Sequence, residues 1–105
     1  MMLDLNEIFT RTVFNRIKKE ENKKVTLNQP YIHIKQDGHT TRLYPQWKHV
    51  NPKKLEDRRK DIDNGFTQLN NEEIDQCFLV YPKTDSFKRH ITLEDSSSQK
   101  LKMIP

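Results

Sequence analysis

The chain has 105 residues, of which 19 are Lys or Arg and 15 are Asp or Glu, for a net charge of +4. That length suits a single small domain spanning 1–105, and no apolar run approaches the roughly 18 residues a membrane-spanning helix needs. Apolar residues make up 32% and charged residues another 32%, against roughly 45–50%, a figure that also counts glycine, and ~25% in ordinary domains, so a thin core with frayed ends is expected.

The apolar residues recur in periodic runs, which argues against a disordered chain. The positive balance favours acidic partners: nucleic acid, an anionic membrane surface or an acidic protein surface. Cys77 is the only cysteine, which excludes an intramolecular disulfide and an all-cysteine zinc site. Met1-Met2-Leu3-Asp4 lacks the basic region and apolar run of a signal peptide, so a cytoplasmic location is expected.

In chain order, Leu5, Ile8, Phe9, Val13 and Ile17 recur at three- and four-residue steps and predict a helix burying that stripe. Asp4 and Glu7 supply a capping-box pattern at its start. The polar run from Lys18 to Lys24 reads as its frayed end. Val25 to Leu27 begins an extended segment, which Pro30 breaks. Tyr31–Gln36 and His39–Tyr44 then alternate on either side of Asp37-Gly38, the strongest short hairpin signal, because both turn positions favour positive φ. A two-residue turn pairs His33 with Arg42 and Ile32 with Leu43. One face of the hairpin carries Ile32, Ile34, Thr41 and Leu43 and belongs on the core. The other carries Tyr31, His33, Lys35, Thr40, Arg42 and Tyr44 and is basic and aromatic.

Asn51-Pro52 reads as the start of a second, very polar helix running to about Asn64, with Leu55, Ile62 and Phe66 as its apolar stripe and Gly65 as its C-cap. Asn70 or Asn71 reads as the cap of a short third helix. Phe78-Leu79-Val80-Tyr81 is apolar on both faces and predicts a central strand. Phe87 to Leu93 predicts a return strand, and Leu101 to Ile104 an edge strand or a loose tail. These elements predict an α+β fold: an antiparallel sheet of four to five strands with two main helices packed on one face.

No motif names a reaction. Phosphate-loop and dinucleotide fingerprints need several glycines, and the chain has only Gly38 and Gly65. His33 and His39 fall on opposite faces of the hairpin, and His49 and His90 lack the spacing of ligand pairs, so no metal or other cofactor is expected. Asp61 and Asp63 fall on different helix faces, which leaves no paired carboxylates for acid–base work. Cys77 reads as a small buried hydrophobe. No catalytic residue is assigned.

A sheet face with aromatics between cations lets bases stack on rings while Lys and Arg meet phosphates. The candidate binding residues are therefore Tyr31, His33, Lys35, Arg42 and Tyr44, with Trp47 as an extension of the aromatic patch. Lys54 and Arg58, four apart in the expected second helix, add cations on one face. The favoured expectation is a non-catalytic module binding nucleic acid. A protein-binding inhibitor or immunity-type module is the alternative, and a small endoribonuclease-like toxin is the third reading.

Overall fold

The computed structural model describes residues 4–19, 23–71, 73–96 and 99–105. In chain order the elements are helix α1 (Leu5–Lys18), strands β1 (Lys24–Asn28), β2 (Tyr31–Gln36) and β3 (His39–Pro45), a 3-10 turn (Leu55–Arg58) continuing into helix α2 (Arg59–Leu69), then β4 (Gln76–Val80), β5 (Ile91–Glu94) and β6 (Lys100–Ile104). The strands form one six-stranded sheet in the order β1-β2-β3-β4-β6-β5. The α+β class stands, but the sheet is larger than expected and mixed. β3 runs parallel to β4, and β4 parallel to β6. The reason is connectivity: the chain returns from β3 to β4 through α2, and such a crossover joins parallel neighbours.

The hairpin forms in the expected register, with Ile32 opposite Leu43, His33 opposite Arg42 and Gln36 opposite His39. Asp37 and Gly38 take φ of 51° and 79°, the left-handed pair that a primed two-residue turn requires. β1 extends this hairpin into a meander, pairing Lys24 with Lys35 and Thr26 with His33.

The helices lie on opposite faces of the sheet, which corrects the expectation of one shared face. β4 is central and apolar on both sides, so each side needs a cover. Phe9, Val13, Phe14 and Ile17 of α1 pack over Ile32, Leu43 and Val80. Ile62, Phe66 and Leu69 of α2 pack over Cys77, Leu79, Leu101 and Met103. The α1 stripe holds at Phe9, Val13 and Ile17 but not at its start. Leu5 and Ile8 remain 50% and 47% exposed, because the first turn lies beside Trp47, whose backbone N–H donates to Asn6 Oδ1 at 2.7 Å. Asp4 does cap the helix, accepting from the Glu7 N–H at 3.1 Å.

Asn51-Pro52 starts a turn instead of a helix: Asn51 Oδ1 accepts from the Lys53 N–H at 3.0 Å, and helical structure begins only at Leu55. Gly65 is no C-cap. It is buried inside α2, where a Cβ would stand 2.7 Å from both Leu101 methyls, so its lack of a side chain sets how closely α2 approaches the sheet. No third helix occurs among the described residues; Asn71 Oδ1 instead accepts from the Glu73 N–H. The return strand is shorter than expected, and it pairs with β6 and not with β4. β6 is therefore an interior strand, as the complete burial of Leu101 and Met103 requires. Phe87 lies outside any strand as a buried anchor, its ring edge-on to Tyr81 at 6.3 Å.

Each helix covers only half of its face. α1 packs on β1, β2 and β3, and α2 on β4 and β6. The α2 side of β1 and β2 and the α1 side of β4, β6 and β5 are left without a helix among the described residues.

Candidate functional site

Strand alternation sends Tyr31, His33 and Lys35 to the α2 side of the sheet, opposite the core residues Ile32 and Ile34. The register then builds three rows across the meander. Lys24, Lys35 and Thr40 form the first, Thr26, His33 and Arg42 the second. Asn28 and Tyr31 begin the third, which the Tyr44 ring completes at 5.3 Å from that of Tyr31. Lys24, Thr26, Asn28 and Lys35 are exposed; Tyr31, His33, Arg42 and Tyr44 are half-buried. One flank of α2 walls this platform through Asn64 and Gln68. The Tyr31 hydroxyl donates to Asn64 Oδ1 at 3.1 Å and accepts from Gln68 Nε2 at 3.3 Å. Arg42 donates from Nη1 to Gln68 Oε1 and sets its guanidinium 5.3 Å from the centre of the Tyr31 ring.

The electrostatics follow from that packing. Burial, then the neighbouring Arg42 and Lys35 cations, holds His33 below the usual imidazole range, so its ring is neutral at pH 7. Burial, the Asp61 charge and Tyr31 raise the Tyr44 phenol above its ordinary value. Deeper still, Asp61 gathers partners that its place in the sequence does not reveal. Asp61 is 4% exposed; it accepts from the Tyr81 hydroxyl at 2.8 Å and from Lys48 Nζ at 3.1 Å. Both carboxylate oxygens are therefore satisfied from within the protein. Burial and the Asp61 charge drive the Tyr81 phenol strongly upward. Cys77, opposite Arg42 on β4, is 2% exposed, and burial raises its thiol to about 11, so it is no nucleophile at neutral pH.

Tyr31, His33, Lys35, Arg42 and Tyr44 thus share one surface. Trp47 does not join them: it is 50% exposed and packs against Phe9 of α1 with ring centres 5.5 Å apart. Lys54 precedes the helical segment and is exposed, whereas Arg58 sits at the foot of α2, half-buried. The two do not form the single helical stripe the sequence suggests. Lys24, which the sequence reading passed over, belongs to the platform through its pairing with Lys35. The signal was there in the alternation of Lys24-Val25-Thr26-Leu27-Asn28, a pattern readable as a third strand of the meander. Among the described residues no group of three His, Cys, Asp or Glu side chains converges to hold a metal ion, and no helix is long and apolar enough to cross a membrane. Comparisons with protein-family models, with curated proteins and with solved structures find no match to this chain.

Proposed function

We propose that this domain is a non-catalytic module that binds single-stranded nucleic acid across the uncovered half of the α2 face. The observation that carries this reading is the row structure of the platform. Lys24 and Lys35 stand side by side and exposed, next to His33 and Arg42, on a surface that no helix covers among the described residues. Lysines so placed meet phosphates, and binding of that kind is tolerant of sequence and steeply salt-dependent. Tyr31, half-buried, offers one ring for a base. Tyr44 faces α2 and the Asp61 cluster and serves to hold Tyr31 in place.

The test is a salt titration on one single-stranded oligonucleotide. Lys24→Gln and Lys35→Gln should each weaken binding to all sequences and lower the salt slope by about one unit. Tyr31→Ala should cost roughly 1–3 kcal/mol with little change in slope. Binding by the unmodified protein no tighter than millimolar at low salt would end the proposal.

A further inference from the structure

Independently of that reading, we propose that the opposite side of the sheet docks an acidic amphipathic helix of another protein. Six strands at ~4.8 Å span about 24 Å, whereas one helix covers about 10 Å. On the α1 side the helix sits over β1, β2 and β3, so among the described residues no helix covers β4, β6 and β5 beside it. The space is a trough rather than a flat surface. Two adjoining hollows, about 680 and 430 Å³, share Ile17, Leu43 and Ile104 in their linings. Phe9, Val13 and Ile17 of α1 form its wall; Phe78 and Ile104 of the sheet form its floor. Those five side chains are half-buried, so an apolar floor is open to a ligand. The wall residues on α1 recur every four positions, about 6 Å apart along the axis, the spacing at which a neighbouring helix presents its own apolar stripe.

Charge chooses the occupant. The exposed Arg16 and Lys83 line one hollow, and Lys102, exposed and directly across from Phe78, flanks the floor. Two carboxylates, Asp37 and Asp75, line the far end beside Lys23 and His39, whereas the hollow along Phe9, Val13 and Arg16 has no carboxylate in its lining. A helix with an apolar stripe and glutamates beside it matches this rim. The α1 of a second copy does not, because its apolar stripe already packs on its own sheet and its exposed Arg16 and Lys18 would meet the same cations. Half-exposed Ile8 and Trp47 continue the apolar strip past Phe9 and lengthen the contact available to the ligand.

The experiment uses the full chain and two labelled peptides of about 18 residues, long enough to populate helix, with one shared Leu stripe. One carries Glu on both flanks of the stripe, the other Lys. The Glu peptide should bind with micromolar affinity and the Lys peptide about tenfold or more weaker. Arg16→Glu combined with Lys83→Glu changes only exposed side chains, so the fold should persist. It should reverse the preference while leaving the salt slope of oligonucleotide binding unchanged, which separates this proposal from the platform reading. Equal affinity for the two peptides, no binding of either, an unreversed preference, or sedimentation of the protein as a dimer would overturn the proposal.

Discussion

At the scale of single residues, the two glycines show how one residue type serves different ends. Gly38 supplies a positive φ with nothing within 4 Å of its missing side chain, whereas Gly65 lacks room. Gly65→Ala should therefore destabilise the protein. Overpacking costs about 1–3 kcal/mol, which outweighs the roughly 0.5–1 kcal/mol that alanine gains inside a helix. In a Leu101→Ala background the methyls are gone, and the same substitution should become stabilising. Thermal or denaturant melts of the four proteins check the change of sign; a stabilising Gly65→Ala in the unmodified protein would show that α2 does not approach β6 so closely. Gly38 was legible in the sequence because Asp-Gly announces its turn locally. Gly65 was misread, since a helix interior and a helix end look alike until the partner across the interface is known. Asp61 was hidden for a related reason. It lies in a run of charges that reads as solvated, and only the fold brings Tyr81 and Lys48 to its oxygens.

At the scale of elements, local rules worked where the determinants were local. The hairpin register followed from the turn and the alternation, and the Asp4 cap followed from its position before the apolar stripe. What failed were judgements that depend on pairing at a distance. Neighbours in sequence are the default neighbours in a sheet, and that default made Leu101–Ile104 an edge; yet β6 lies between β4 and β5. The α1 stripe is right from Phe9 to Ile17 but begins one turn too early in the sequence reading, because its period does not say where the sheet begins beneath it. The two ends of that stripe should respond differently to truncation. Phe9→Ala removes a half-buried ring packed on the sheet and on Trp47 and should cost about 2–3 kcal/mol, less than the ~3–5 of a fully buried ring. Ile8→Ala, on a side chain 47% exposed, should stay within about 0.5 kcal/mol. Equal losses in chemical denaturation would mean that the first turn packs as the sequence alone suggests.

At the scale of the whole molecule, a polar chain has covered a wide sheet with two helices, one per face and offset from each other, and this leaves two half-faces of different character. The α2 side keeps its cations on a hydrophilic platform, while the α1 side keeps an apolar trough with cations along its rim. The core between them also sets how stability depends on pH. Cys77, Tyr81 and Tyr44 all titrate above their ordinary values in the folded protein, chiefly through burial. A raised acid holds its proton in the folded state after the unfolded chain has released it, so the unfolded state binds fewer protons and stability falls as pH rises. That contribution is complete below the unfolded thiol value of 9.0 and is lost above it; for Cys77, rising to about 11, it amounts to about 2–3 kcal/mol. His33 acts with the opposite sign. Its folded value lies below 6.5, so the unfolded chain takes up the proton first as pH falls, and stability present above pH 6.5 is lost beneath it. Thermal melts from pH 4 to 11 should therefore show a plateau between about 6.5 and 9 with a decline on either side. Cys77→Ala should make the alkaline decline shallower, and His33→Gln should flatten the first part of the acid decline. A melting temperature that holds level to pH 11 would mean that the thiol and the phenols are not buried as the packing of α2 on β4 and β6 requires.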